Sequence, residues 1–439
     1  MIGEFNGKTI TVMGLGRFGG GLGVTRWLAS QGARVLVTDL EPEDRLAASL
    51  KGIEDLIEND VVELRLGAHN LEDFRKADLV VANPAVPKPW DNEFLLEASK
   101  AGVPITTEIR LLMERLDRRR VIGVTGTAGK STTTAMIHHV LQETGHSSHV
   151  GGNIGGSLLS RLDAIGPEDW IVLELSSSML YWLGKGVGYS DAEGISPHVA
   201  LLTNIEPNHL DWHGTFEHYR ESKENIFRYQ ESDGARITSE LFHQRRKLPL
   251  KIPGDHNQLN GQFAIMAALK AANVLPSDSA PRLATFEGLP HRLQLVAQHG
   301  EQQFFNDSKS TTPQATVLAV QAFKKPSKIH LIVGGYDKKI DLSPIAALTP
   351  KIAGLYTIGA TGEALAQKAE SIGNEASVGE GHVAHCEALE VAIEQAKQRM
   401  EDDHILLLSP GCASWDQFDN YEQRGDRFVN MVTSQIQSP

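Results

Sequence analysis

The sequence predicts an α/β protein of three domains. The first is Rossmann-like, the second is a mononucleotide-binding ATPase domain with a parallel sheet, and the third is again Rossmann-like. Short β-rich runs alternate with helical stretches along the whole chain, the βαβ signature of a parallel sheet. That alternation restarts twice, at Arg120 and after Gly288-Leu-Pro-His-Arg292. A length of 439 residues matches about three domains of roughly 150 residues each. The expected boundaries are 1–106, 107–288 and 289–439.

In the first domain Lys8–Gly14, Arg34–Asp39 and Ala77–Asn83 read as strands, and Val24–Gln31 and Asn92–Ala101 as helices. Gly14-Leu-Gly-Arg-Phe-Gly19 fits G-x-G-x-x-G after a strand, and Asp39 closes the next strand. By pattern, Gly14 and Gly16 make a tight turn at a helix N-terminus that suits a phosphate, with Asp39 for a ribose or base. A purely structural tight turn carries the same pattern, so a nucleotide-type ligand is expected without specifying nicotinamide. Gly19-Gly-Gly-Leu-Gly23 holds more glycine than helix packing requires, which predicts close approach of backbone to a diphosphate.

The middle domain opens with Val121-Ile-Gly-Val-Thr-Gly-Thr-Ala-Gly-Lys-Ser-Thr-Thr-Thr134, the most informative stretch of the chain. It reads as a buried strand (Val121 to Thr125), a glycine loop, and a helix opening at Ser131. Such a loop (Gly126, Thr127, Ala128, Gly129, then Lys130, Ser131 and Thr132) offers backbone N–H groups and a helix N-terminus to one polyphosphate. Lys130 adds a mobile positive charge and Ser131 a hydroxyl for Mg²⁺. The usual P-loop would need glycine at 124, where Val124 stands; the chain has the tighter T-G-T-x-G-K-S. A glycine-rich turn with a surface lysine is the bland alternative, and ATP binding is the expectation. The pattern continues through the strands Trp170–Leu175 and Val199–Ile205. Glu174 lies near the carboxyl edge of the first, where ligands gather in open α/β sheets, and can share Mg²⁺ with Ser131. The second runs into His209, followed by a helical pattern over Thr215–Tyr229 that holds Lys223. The third domain adds strands at Gln303–Asn306, Ile329–Gly334, Gly354–Ile358 and Ile405–Ser409.

Composition narrows the class. Hydrophobic residues make up 41% and charged residues 22%, as in ordinary globular protein. No apolar run approaches the ~20 residues of a membrane span, and Met1-Ile-Gly-Glu-Phe-Asn-Gly-Lys lacks the features of a signal peptide. The two cysteines, Cys386 and Cys412, form no C-x-x-C pair, which argues for a reducing compartment and against structural zinc. A net charge of −13 disfavours a nucleic-acid binder. The chain is expected in the cytoplasm, as a monomer, with neither nucleic acid nor membrane as partner.

In order along the chain, T-G-T-x-G-K-S, E-L-S-S, T-N-I-x-x-N-H-L-D, Y-R-E-S-K, H-N-x-x-N (His256 to Asn260) and His291-Arg292 resemble the motifs of the Mur ligases. That family joins an amino acid to a nucleotide-linked muramyl precursor of peptidoglycan, with ATP. Asn306-Asp-Ser-Lys-Ser-Thr311 and Leu408-Ser-Pro-Gly-Cys-Ala-Ser-Trp-Asp-Gln-Phe-Asp-Asn-Tyr-Glu-Gln-Arg-Gly425 look like the member that adds D-glutamate to UDP-N-acetylmuramoyl-L-alanine. The similarity covers nearly the whole chain.

The resemblance implies roles residue by residue. Lys130 and its loop would bind the ATP phosphates, with Asn257 and Asn260 near adenine and Arg292 and Asp307 near phosphate and ribose. Ser131 and Glu174 would hold one Mg²⁺; His209 and a Lys223 carbamylated by CO₂ would hold a second. Asn153 would lie near the uridine-nucleotide substrate and the γ-phosphate, with Gly14, Gly16, Asp39 and Asn83 also toward the uridine nucleotide. Lys309, Thr311, Lys338, Ser414 and Tyr421 would surround glutamate. Ala128 replaces an asparagine often found in the ATP loop. The segments Gly19–Gly23 and Asn83-Pro-Ala-Val also depart from the commoner D-glutamate-adding pattern.

Three other readings compete. A nicotinamide-dependent oxidoreductase built on Gly14–Gly19 and Asp39 leaves the ATP loop, Glu174, His209 and Lys223 unexplained. A regulatory ATP module without ligase chemistry conflicts with those same residues being intact. A sibling Mur ligase, or a folylpolyglutamate-type ligase, would take another substrate. The D-N-P-R-type segment of diamino-acid adders is absent, and Asp307-Ser-Lys309 favours glutamate.

Overall fold

The computed structural model describes residues 3–16, 19–242, 246–375 and 382–434. Arg17 and Phe18, inside the first glycine fingerprint, lie outside the described residues. The chain forms two compact units, Met1–Arg246 with Asn260–Leu283, and Lys247–Leu259 with Ala284–Pro439. The first carries two parallel sheets and the second carries one mixed sheet, so the expected α/β architecture holds.

The first sheet contains β1 (Thr9–Met13), β2 (Arg34–Asp39), β3 (Val62–Leu66), β4 (Leu79–Ala82) and β5 (Ile105–Thr106), in the order β3-β2-β1-β4-β5. Every pairing is parallel. The chain reverses its direction of winding between β1 and β4. The crevice outside their carboxyl ends, where Gly14 and Asn83 follow, is therefore the topological switch point at which such sheets bind ligands.

The second sheet runs β10-β9-β6-β8-β7, from β6 (Val121–Thr125), β7 (Ser148–Gly152), β8 (Trp170–Glu174), β9 (Val199–Leu202) and β10 (Ala235–Thr238). Both β6 and β8 are buried along their whole length, which explains their unbroken apolar character. The ATP loop leaves the carboxyl end of the central β6. The segment carrying His209 leaves the neighbouring β9, and Glu174 ends β8 on the other side.

The second unit holds β11 (Gln294–His299), β12 (Gln302–Asn306), β13 (Ile329–Gly334), β14 (Gly354–Ile358), β15 (His382–Glu387) and β16 (Ile405–Leu408). Their order is β11-β12-β16-β13-β14-β15. Alternate residues face opposite sides: Phe305, Leu331, Val333 and Leu407 enter one apolar cluster, Phe304, Ile332, Leu406 and Leu408 another. The sheet is thus covered on both faces. β11 pairs antiparallel with β12 through a tight turn at Gly300, an edge hairpin absent from the sequence expectation.

Candidate functional site

The ATP loop folds as its residue types require. Gly126 has φ +149°, and a Cβ there would overlap Thr203 Oγ1; Gly129 has φ +82°, and a Cβ there would approach Asn260 Oδ1 to 2.7 Å. Both positions therefore demand glycine. Gly129 opens the helix Lys130–Glu143 in left-handed conformation without a side-chain cap, so the first amides of a 14-residue helix face outward for an anion. Asn204, which the sequence reading quoted without a role, backs the loop. Its Oδ1 accepts from the amides of Thr127 (3.2 Å) and Ala128 (2.9 Å), and its Nδ2 donates to Ala128 O at 3.1 Å.

Two lysines meet at one oxygen. Lys130 Nζ donates to Gly126 O at 3.0 Å and to Thr127 O at 2.9 Å. Lys223 Nζ donates to the same Gly126 O at 2.8 Å and to Thr125 Oγ1 at 3.2 Å. Lys223 projects from the helix Phe216–Arg228, capped by Thr215, and is only 2% exposed. Burial foremost, with Lys130 adding to it and Glu174 opposing, lowers its pKa to about 7. Among the described residues no carboxylate lies within ion-pair distance of it.

Glu174 is 1% exposed. Asn153 Nδ2 donates to its Oε1 at 2.9 Å, and the Asn153 amide donates to its carbonyl at 2.9 Å. Its Oε2 is buried with no hydrogen-bond partner among the described residues. An orphaned buried carboxylate oxygen is costly unless a proton donor or cation joins it. His209 holds φ +51° at the start of the one-turn helix Leu210–His213, a strained backbone of the kind found at ligand sites. Burial depresses its imidazole, with Lys130 and Lys223 adding to that and Asp211 opposing, which favours the neutral, ligating form. Among the described residues no three His, Cys, Asp or Glu side chains come together as a metal-binding group. A cation here would draw on the Ser131 hydroxyl and a modified lysine as well as Glu174 and His209. Ser131 is buried in the first helical turn, and Thr132 follows it.

In the first sheet Gly14 and Gly16 hold φ +92° and +63°. The Gly16 amide donates to Asp39 Oδ2 at 3.0 Å and the Glu41 amide to Asp39 Oδ1 at 2.9 Å, so this carboxylate shapes the turn from within. A Cβ on Gly14 would come within 3.0 Å of the Asn83 side chain, whose Oδ1 accepts from the Ala85 amide. In the glycine-rich Gly19–Gly23 the chain's own atoms crowd Gly21 and Gly23 and leave open space beside Gly19 and Gly20. A Cβ on Gly21 would overlap the carbonyls of Gly14 and Leu15, and one on Gly23 would sit 2.5 Å from Ser157 Cβ. The chain's own packing requires these two glycines, without any diphosphate.

In the second unit the backbone is left-handed on both sides of half-buried Arg292, at His291 (φ +60°) and Leu293 (φ +42°). Asp307 is buried, accepting from Ser409 Oγ at 2.7 Å and from the Leu293 amide at 3.1 Å. Burial raises its pKa to about 6. Asn257 Nδ2 donates to Pro253 O at 2.6 Å. Lys309 Nζ lies 5.0 Å over the Tyr421 ring and Lys338 Nζ 4.9 Å over that of Trp415, which is 57% exposed. Ser414 is buried at the start of the segment after β16, and Thr311 is half-buried ahead of the helix Pro313–Gln321. The residues expected around glutamate thus follow three adjacent strands, β12, β16 and β13, beyond their carboxyl ends.

Known proteins carry the same plan. A Mur ligase MurD-like N-terminal domain model matches residues 8–107, a Mur ligase middle domain model 124–240, and a Mur ligase glutamate ligase domain model 291–412. The UDP-N-acetylmuramoylalanine–D-glutamate ligase of Acidobacterium capsulatum is 33% identical over 475 positions, covering 98% of this chain and 97% of that one. The enzyme of the same name from Geobacter metallireducens is 33% identical over 477 positions, covering 98% of each. In structure, the UDP-N-acetylmuramate–alanine ligase of Thermotoga maritima superposes with a TM-score of 0.59 at 21% identity, covering 98% of this chain and 100% of that one. The MurF ligase of the same organism, solved with ADP, gives 0.54 at 17% identity over 84% and 97%. Full-length relatives above 30% identity, with three domain models in order, settle the family: the chain belongs to the Mur ligases.

Proposed function

We propose that this protein is an ADP-forming amide ligase that joins D-glutamate to UDP-N-acetylmuramoyl-L-alanine, in cytoplasmic synthesis of the peptidoglycan precursor. The observation that carries the reading is the trio at the ATP loop: half-buried Lys130 and buried Lys223 on one carbonyl, with buried Glu174 presenting an oxygen without a hydrogen-bond partner at the next strand end. The full-length relatives named for this D-glutamate reaction supply the substrate pair.

The chemistry needs these parts. A carboxylate resists attack by an amine because oxide is too poor a leaving group. Phosphoryl transfer from ATP to the alanyl carboxylate gives an acyl phosphate and ADP. The glutamate amine then attacks, losing a proton, and phosphate departs as the amide forms. Nucleophile and triphosphate are both anionic, so positioning and charge screening provide most of the catalysis. The amides at the start of the helix, from Gly129 to Ser131, would hold the phosphates, and Lys130 would swing from Gly126 O to follow the transferred group. Asn153 holds Glu174 from one side and can reach substrate oxygens from the other.

Two Mg²⁺ ions fit the donor set: Ser131 and Glu174 for one, His209 and a Lys223 carbamate for the other. Bound there, they would screen the triphosphate and polarise the carboxylate. CO₂ adds only to a neutral amine, and the buried Lys223 meets that condition near pH 7. In the second unit Lys309 and Lys338 are the cations suited to glutamate's two carboxylates, with the Thr311 and Ser414 hydroxyls beside them.

Phosphate release tests the reading, measured with ATP, the uridine substrate and each amino acid singly. Turnover should require all three substrates and yield ADP, with D-glutamate preferred. Equal release without the uridine nucleotide, or formation of AMP and pyrophosphate, would overturn it.

A further inference from the structure

Arg424 has no part in the reaction just described, yet it is the largest buried cation of the second unit. It sits in the first turn of the helix Tyr421–Ser434 and is 1% exposed. Its guanidinium reaches two separate segments. Nε donates to Ser308 Oγ at 3.0 Å and Nη2 to Ser308 O at 2.9 Å. Nη2 also donates to Cys412 O at 3.1 Å, and Nη1 to Ala413 O at 3.3 Å.

Two further links extend the network. Ser308 Oγ in turn donates a hydrogen bond to Tyr421 O at 2.8 Å. Ala413 O accepts the Tyr336 amide at 2.9 Å, and Gly335 packs so tightly that a Cβ there would stand 3.1 Å from Nη1. One guanidinium therefore fixes the backbone beside Lys309, Ser414, Tyr421 and the loop leading to Lys338. Those are the residues read above as the glutamate pocket.

The charge is as telling as the geometry. Carbonyl and hydroxyl oxygens take up four of its donor contacts, and among the described residues no carboxylate lies within ion-pair distance. Asp416, the acid that acts on it, directs Oδ2 to the Ala360 amide instead. Burial lowers the pKa only to about 10, so the group stays cationic at neutral pH. A buried cation without a counter-anion is costly, and it leaves a positive field at the strand ends where a dicarboxylate would bind.

We propose that Arg424 is the positioning residue of the glutamate pocket, holding its loops in register and biasing the pocket toward a doubly anionic amino acid. The inference rests on the function proposed above. Lysine cannot reproduce a planar fork that spans two loops. Arg424→Lys should therefore raise the KM for D-glutamate about 10- to 100-fold, the cost of losing charge-assisted bonds. The KM for the uridine substrate should stay within about twofold, because the residues read for it, Gly14, Gly16, Asp39 and Asn83, belong to the first unit. Ser308→Ala, which removes one acceptor and the link to Tyr421, is the milder variant and should shift the same constant by about 5-fold.

A glutamate KM within twofold of wild type in both variants would overturn the proposal, and so would equal rises for all three substrates. If Arg424→Lys does not fold, Ser308→Ala decides by the same criterion. A wild-type enzyme whose phosphate release ignores glutamate would instead refute the parent reading.

Discussion

Glu108 offers a test of the fold in which the sign is fixed before the experiment. It opens the helix Glu108–Met113 in the first unit and accepts a hydrogen bond from Ser157 Oγ at 2.5 Å. Among the described residues no cation pairs with it; burial raises its pKa from 4.5 to about 7, and the Ser157 bond only partly opposes that. The unfolded chain releases this proton near pH 4.5, the folded chain near 7. The folded state thus binds more protons across that window, and its stability must fall as pH rises through it. At about 1.4 kcal/mol per pH unit, the full cost above pH 7 is about 3 kcal/mol.

Glu108→Gln removes the titration and keeps an acceptor for Ser157. Urea unfolding of the full chain at pH 5 and pH 8.5, followed by tryptophan fluorescence, reads the difference. The variant should gain about 2–3 kcal/mol on wild type between the two pH values, with turnover retained. An equal offset at both pH values would refute the reasoning, as would a variant that loses ground at pH 8.5.

Other outcomes follow from the site itself. Lys223→Ala should lose several orders of magnitude in turnover, with partial rescue by acetate or formate standing in for the carbamate oxygens; wild-type activity in this variant would end the carbamate assignment. Glu174→Gln should cut Mg²⁺-dependent turnover by about 10²–10³, as loss of one preorganised charged group does, while far-ultraviolet circular dichroism stays unchanged. Gly126→Ala meets both a left-handed backbone and Thr203, and should cost about 1–3 kcal/mol in urea unfolding together with ADP affinity. Lys130→Met should raise the melting temperature of the nucleotide-free enzyme in bicarbonate-free buffer while abolishing the stabilisation that ADP gives wild type. A lower melting temperature would count against a strained cation pair.

The sequence makes the glycine loop visible because its constraints are local: a buried strand, obligatory glycines and a helix start within fourteen residues. β13, β14 and β16 are legible for a similar reason, since each is a mostly apolar run, whereas β15, of mixed polarity, is absent from the sequence expectation. Other features depend on partners far away in the chain. Nothing in the residues around Arg424 or Glu108 marks either as buried, and only tertiary packing makes them so. Asn204 lies seventy-six residues from the Ala128 amide that it accepts from, so nothing local marks it. The β11–β12 hairpin did carry a signal, a two-residue turn opening on Gly300, but the mixed polarity of Gln294–His299 hides the strand. The glycine crowding at Gly19–Gly23 is ambiguous in sequence because glycine reports close approach without naming what approaches. At Gly21 and Gly23 that neighbour is the chain itself.

The shared carbonyl of Gly126 ties these observations to function. Bonds of 3.0 and 2.8 Å to one oxygen keep the two ammonium groups within about 6 Å, a repulsion of roughly 1–3 kcal/mol at the effective dielectric of a half-buried site. Packing for stability alone would place a carboxylate between them. Instead the adjacent acid, Glu174, spends one oxygen on Asn153 and leaves the other unpaired. Two close ammonium groups, beside a carboxylate oxygen with no hydrogen-bond partner among the described residues, make an arrangement that a polyphosphate and divalent metal together would neutralise. Each departure from the most stable packing here has a counterpart in the ligands that the proposed reaction requires.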